Sequence, residues 1–207
     1  MTKLYIAADY VASLIQFIKN QGVNIDDLLK AESMPSVLTG LVTFPLMSDA
    51  VSYLCAKKTD PCLGLAFGLT LDITQHGLLG YAAKSANNVL DAILLDEKYL
   101  ATRTNLISFC LLTHAEALSL HIEATKLANL QMSPFLYLMI LGSLARMYHD
   151  LSNKVLDAVF VVPFDIKFLK QYKHPLLAKI TWQQEALAFR MDAPLHIAQT
   201  LILSSIL

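Results

Sequence analysis

Charge is what this chain has least of. Asp, Glu, Lys and Arg make up only 16% of its 207 residues, and the 16 basic and 17 acidic side chains leave a net charge of -1. Soluble domains usually carry about a quarter charged residues. The Lys and Arg are scattered, with no basic patch, which argues against nucleic-acid binding by this chain, because phosphates are held by clustered cations. Long apolar runs are missing as well. The longest, Pro134 to Ala145, is stopped by Arg146 and falls short of the roughly 20 residues of a membrane span. Asp9 follows closely on Met1-Thr2-Lys3-Leu4-Tyr5, so the N-terminus has no signal-peptide core. The expectation is a soluble, cytoplasmic protein that meets no membrane.

Cysteine is scarce and unpatterned. Cys55, Cys62 and Cys110 are odd in number and have no His at a ligand interval, so they read as free structural thiols in a reducing compartment. Catalytic signatures are also lacking: no Gly-rich phosphate loop, nucleophile elbow, H-E-x-x-H pair or Cys cluster. The six histidines are dispersed, and none pairs with another at helical ligand spacing. Each reads first as a surface or satisfied core residue, and His76, beside a glycine run, is the one to test first. No metal, cofactor or enzymatic activity is expected.

What the chain has in surplus is apolar side chain: 55% hydrophobic residues and a mean hydropathy of +0.49. A chain of this size buries roughly 70% of its unfolded surface, so it needs no staples. The surplus must go into a large core, a ligand cavity or an oligomer interface.

Periodicity predicts an α+β fold: a helical N-terminal half packed on a small antiparallel sheet, with one long buried helix. Tyr5 to Gln21 reads as an amphipathic helix on Val11, Leu14, Ile15 and Ile18, Ile25 to Ala31 as a short second helix, and Leu46 to Lys57 and Cys62 to Leu69 as two more. In His76-Gly77-Leu78-Leu79-Gly80-Tyr81 two glycines interrupt an apolar helical run, at a cost of roughly 1 kcal/mol each, which suggests close backbone approach in a tight buried helix. A polar corner follows. Asn88 can then cap a helix from Val89 to about Thr104, with Asp91 in its first turn. Asp96 and Arg103 fall on the apolar face of that helix. They read either as a solvated edge or mutual ion pair, or as a polar group aimed into a cavity.

Leu106 to Leu112 and Ala117 to Ala124 read as strands around a turn. The second has one wet face (Ser119, His121, Glu123), and the first reads as the more buried. Ser133-Pro134 starts a helix that runs to about Leu151 and is apolar all round in its first half. Ala158 to Val162 is a buried strand by composition, Ile166 to Tyr172 a helical piece, and Lys179 to Gln183 and Ala186 to Met191 two further strands. Leu195 to Leu207 is an apolar tail that can pack as a helix. Tyr81, Phe109, Tyr137, Trp182 and Phe189 come from elements expected to meet between sheet and helix. They read as core packing or as the lining of a cavity. The whole is taken as a single effector-binding and dimerisation domain, with a helical part to about 104 and a sheet-containing part over about 105–194.

The run Gly77-Leu78-Leu79-Gly80-Tyr81-Ala82, with Asn88, Asp91 and Ala92 after it, resembles the N-terminal ligand-binding (arabinose-binding-type) domain of AraC-family transcription regulators. The resemblance extends to the Gly22-Val23-Asn24-Ile25 entry, to Asp60, Pro61, Gly64, Leu65 and Gly68, and to Val161, Pro163, Tyr172, Ile180, Trp182, Leu187, Phe189, Pro194 and Leu195. The pattern departs at His174-Pro175-Leu176-Leu177, where a Phe-Gly pair is expected, and at Glu185 in place of Asn. The resemblance implies an effector-sensing domain that reaches DNA only through a C-terminal helix-turn-helix module; the apolar composition suits a small apolar or amphipathic effector, and a homodimer is expected. Nothing after Pro194 has room for that module, so the chain is expected to be a piece of a longer regulator or a stand-alone sensor. His76, Tyr81, Asp96, Arg103, Phe109, Tyr137, Trp182 and Phe189 are the candidate ligand-binding residues. The alternative is a ligand-free dimerisation or adaptor domain. A hydrolase would need a polar cluster that the sequence does not assemble.

Overall fold

The structure, a computed structural model, describes residues 3–26, 40–124 and 133–202, and over them the chain is α+β. It begins with a strand where a helix was expected. Tyr5–Ala7 (β1) pairs antiparallel with Leu41–Thr43 (β2), and helix α1 runs only from Ala8 to Asn20. The reason lies in hydrogen bonds from far along the chain. Tyr5 N–H donates to Asn105 Oδ1 and Ala7 N–H to the Arg103 carbonyl. These bonds satisfy donors that would be orphans in a first helical turn.

Helices α2 (Phe44–Lys57), α3 (Leu63–Thr70), α4 (Leu78–Lys84) and α5 (Val89–Tyr99) follow. The second short helix expected up to Ala31 lies mostly outside the described residues. The helix expected to reach Thr104 ends at Tyr99, and Leu100–Thr102 tightens into a 3-10 turn. Helix α4 is not the buried helix the glycine run suggested: Leu78 is 88% exposed and Tyr81 57%. Only Leu79, Gly80 and Ala83 face inward.

The strands β3 (Ile107–Thr113), β4 (Ala117–Ala124), β5 (Ala158–Val162), β6 (Ile180–Gln184) and β7 (Arg190–Pro194) form one sheet in the order β3-β4-β7-β5-β6. Its pairs are antiparallel except β5 with β6, which is parallel. In β4, Leu118, Leu120 and Ile122 are buried and alternate with wetter Ser119, His121 and Glu123, as the period predicts. Strand β3 corrects the sequence reading: it is one of the two edge strands, with β6 at the other edge, and none of its residues is fully buried. The strand expected from Ala186 starts only at Arg190, because Leu187 turns through a left-handed φ of +65° and is wholly exposed. Residues 167–171 form successive turns where a helix was expected.

Helix α6 (Pro134–Ser152) is the axis. Ser133 holds its N-cap position without a side-chain cap bond, and Pro134 opens the first turn. Leu138, Leu141, Leu144, Ala145 and Leu151 of α6 share one core with Leu118, Leu120, Phe160, Val162 and Met191 of the sheet. A second core joins Val11, Leu14 and Ile18 of α1, Met47 and Leu54 of α2, Phe67 of α3, and Phe135, Leu136 and Met139 at the start of α6. Helix α3 lies backbone-to-backbone on α6. A Cβ on Gly64 would fall on the Phe135 carbonyl, and one on Gly68 on the Met139 carbonyl. After β7, Leu195–Ala198 (α7) buries Ile197 and Ala198 against the sheet core; 203–207 lie outside the described residues. Among the described residues no helix is long and apolar enough to cross a membrane.

Candidate functional site

Asp72 accepts from Thr74 N–H at 2.8 Å, and Gln75 Oε1 accepts from Asp72 N–H at 3.0 Å. This capping box fixes the 3-10 turn Ile73–His76. The turn is tied to α6, since Ile73 N–H donates to Asp150 Oδ2 at 3.0 Å while Arg146 Nε holds Asp150 Oδ1 at 2.8 Å. His76 is thereby aimed inward. Its Nδ1 lies 2.8 Å from the Tyr10 hydroxyl and its Nε2 3.3 Å from Ser143 Oγ. Gly77 follows at φ +60°, and a Cβ there would stand 2.8 Å from Arg103 Nη1. So Gly77 serves a backbone turn that L side chains rarely adopt and makes room for a guanidinium.

Arg103 Nη2 donates to Asp9 Oδ2 at 2.7 Å and to the Gln75 carbonyl at 3.2 Å, and its guanidinium carbon lies 5.1 Å from the centre of the Tyr10 ring. The mutual pair with Asp96 is therefore not formed; Asp9 is the partner. Asp96 is set by α5, whose N-cap Asn88 accepts from Asp91 N–H at 2.9 Å. Asp96 falls on the inner face of that helix and is only 4% exposed. Among the described residues its Oδ1 has no hydrogen-bond partner.

These groups surround a cavity of about 80 Å³ at the seam between the two cores. Ile6, Tyr10, Leu71, Leu136 and Met139 come to it from the helical core, and Leu144 and Met147 from the sheet core. His76, Asp96, Thr104, Phe109 and Ser143 complete the polar and aromatic part of the wall. Burial raises the Tyr10 hydroxyl to about 12, and burial reinforced by the Arg103 charge lowers His76 to about 4, so both are neutral at pH 7. Burial alone lifts the Asp96 carboxyl to about 7.

Of the eight residues picked from the sequence, the structure brings His76, Asp96 and Phe109 into this wall and places Arg103 just behind it. Tyr81 is on the surface. Tyr137 and Phe189 pack edge to face at 4.6 Å, and Trp182 against Phe160 at 5.4 Å; neither pair lines the cavity. Tyr10, Ser143, Met139 and Met147 were missed. Tyr10 sits in the apolar stripe of α1 and carries a hydroxyl that burial obliges to find a partner, the one sequence signal available. Among the described residues, no three His, Cys, Asp or Glu side chains gather as a metal site, and the three cysteines are free.

Comparison with known proteins agrees with this architecture. A family model described as the arabinose-binding domain of AraC transcription regulators, N-terminal, matches residues 29–196. The ornithine utilization regulator of Pseudomonas aeruginosa is 31% identical over 97 residues, which are 44% of this chain and 28% of that protein. The crystal structure of the transcriptional regulator CdpR from Pseudomonas aeruginosa superposes with a TM-score of 0.64 at 13% identity, covering 93% of this chain and 57% of that one, a likeness of fold. The chain thus spans well under two thirds of either relative. A match across most of its length, on an α+β fold of the same kind, means that this chain belongs to the family of N-terminal arabinose-binding domains of AraC transcription regulators.

Proposed function

We propose that the domain senses a small apolar or amphipathic effector, held in the cavity between α1, α5, β3 and α6, and that it signals to a DNA-binding helix-turn-helix module outside these residues. One observation carries the reading: an apolar cavity at the seam of two cores contains a buried acceptor, Asp96 Oδ1, that nothing among the described residues satisfies. Ligand sites are mostly apolar with a few placed polar groups. An unmet buried acceptor costs about 1–3 kcal/mol, which a ligand donor recovers. An effector at a seam tightens one arrangement of the two cores over others, which is the differential affinity that signalling requires. The protein acts in the cytoplasm, as a homodimer, with no catalytic step.

A second reading, a dimerisation or adaptor domain without a ligand, draws on the apolar side chains that α4 leaves in solvent, Leu78 and Tyr81. Thermal unfolding separates the two. A sensed effector present at a hundredfold its Kd stabilises the domain by about 2.7 kcal/mol. An adaptor gains stability with protein concentration and ignores every small molecule offered.

A further inference from the structure

The polar groups in the cavity wall are not equivalent. Tyr10, His76 and Ser143 are bonded to one another. Thr104 Oγ1 donates to the Tyr5 carbonyl at 3.0 Å and accepts from Leu106 N–H at 3.1 Å. Arg103 gives Nη2 to Asp9 and the Gln75 carbonyl; its buried Nε has no partner among the described residues, but Arg103 stands behind Tyr10 and outside the cavity wall. Among the described residues, Asp96 alone offers the cavity an oxygen without a partner. It also lies against a second void of about 30 Å³, sharing Leu144 and Met147 with the first. A buried carboxyl at the meeting of two greasy spaces accepts hydrogen bonds and, once ionised, calls for a positive charge.

We propose that the cavity selects a compact amphipathic cation, a short alkyl chain ending in a protonated amine or amidinium, with Asp96 as its counter-ion. The proposal rests on the sensing function above and names the class of molecule sensed. An anion would bring a second negative group beside Asp96. A hydrocarbon would leave Oδ1 unmet. An alcohol would supply a hydrogen bond without the charge. Size limits the choice too: an empty cavity of roughly 150 Å³ holds benzene, and this one is smaller at about 80 Å³. Anything beyond a few heavy atoms requires the unbranched Met139 and Met147 to swing aside, as Met side chains do readily.

Binding is then linked to protons. The titratable groups that share the cavity are Tyr10 from α1 and His76 from the 3-10 turn, with the Arg103–Asp9 pair behind them. Helix α6 presents Ser143, Leu144, Met147 and the phenol Tyr148 to the two voids, and β4 presents Leu118 and Leu120; none of these is a carboxylate, an imidazole or a cation. With Tyr10 and His76 neutral, Asp96 is the group that changes state near neutrality. The cation binds the carboxylate form, so its affinity falls about tenfold for each pH unit below about 6.

The test is calorimetric and thermal titration of the wild type and Asp96→Asn with n-butylamine, n-butanol and butyrate. The wild type is expected to bind n-butylamine at least about tenfold more tightly than n-butanol, with butyrate weakest. In Asp96→Asn the advantage of the amine disappears. The pH dependence of amine binding to the wild type gives the same answer if the variant does not fold. If n-butanol binds as well as n-butylamine to both proteins, with no pH dependence, the cation is overturned and the sensing function stands. If none of the three binds the wild type, the sensing function at this cavity falls with it.

Discussion

His76 titrates at about 4 in the folded protein, against an ordinary value of 6.5, because burial and the Arg103 charge disfavour the imidazolium. Between those two pH values the unfolded chain holds more protons, so this residue makes stability rise with pH and withdraws its contribution as the medium is acidified from 6.5 to 4. Asp96 does the reverse. Its folded carboxyl titrates at about 7 against an ordinary 3.8, so between these values the folded chain holds more protons and stability falls as pH rises. Each contribution is on the order of a few kcal/mol, and over pH 4–6.5 they oppose one another. Urea midpoints at pH 4.5 and 6.5 therefore differ little from these two groups in the wild type. In Asp96→Asn the His76 slope is uncovered, and stability climbs with pH. In His76→Gln the slope left is that of Asp96, and stability declines with pH. Equal pH slopes in the two variants would contradict the burial of both groups. The sequence made these two residues legible for different reasons: His76 because it abuts a glycine run, and Asp96 because an acid stood on an apolar helical face. The roles of Tyr10 and Ser143 were hidden. A buried tyrosine and a small residue in a helix look the same whether they pack or hydrogen-bond, and their partner, His76, is 66 and 67 positions away.

Helices α3 and α6 meet where both are stripped of side chain. Gly64 and Gly68 place α3 backbone on the Phe135 and Met139 carbonyls, while a Cβ on Gly142 would come within 2.6 Å of the Leu65 carbonyl. None of these obstacles is the end of a flexible side chain, so an added methyl must push the helices apart. Gly68→Ala is expected to cost about 1–3 kcal/mol through overpacking, even though Ala is the better helix former by about 1 kcal/mol. The measurement is the urea midpoint at unchanged m-value; a neutral or stabilising result would mean that the helices do not touch there. Because Met139 also lines the cavity, the same variant should weaken effector binding. In the sequence Gly64 and Gly68 were legible only as part of the family resemblance, and their spacing of four alone did not say which helix they meet. Boundaries set by remote partners were not legible either. Strand β1 depends on Arg103 and Asn105, nearly a hundred residues on. The edge position of β3 depends on β7 pairing with β4 from the other side, which no local alternation encodes. Strand β7 starts late because Leu187 adopts a conformation that a β-rich composition does not suggest.

At the level of the whole molecule, the chain builds two apolar cores, and the cavity lies in the seam between them. The helical core reaches the seam through Ile6, Tyr10 and Leu136, and the sheet core through Leu144 and Met147. Ile107 and Ile140 pack against both cores. A void at such a junction removes contacts from both sides, so it is where the two cores are least well coupled. Local opening follows weak packing, and amide hydrogen exchange reads it residue by residue. With the cavity empty, amides of α1, of the Ile73–His76 turn and of the C-terminal half of α5 should exchange faster than those of β5, none of whose side chains lines either void. Saturation with n-butylamine should slow exchange on both flanks of the seam together, in α1 and the start of α6 on one side and in the Ile73–His76 turn, α5 and Leu144 to Met147 of α6 on the other. Surface helix α4 should be left largely unaffected at Leu78 and Tyr81, since neither side chain lines the cavity. Protection confined to one flank would mean that the ligand joins nothing across the seam, and a signal could not then pass from the helical half to the sheet by this route. Protection that spreads to both flanks is the physical form a message would take, because the bound molecule would then stabilise the closed pairing of the two cores over any arrangement in which they part.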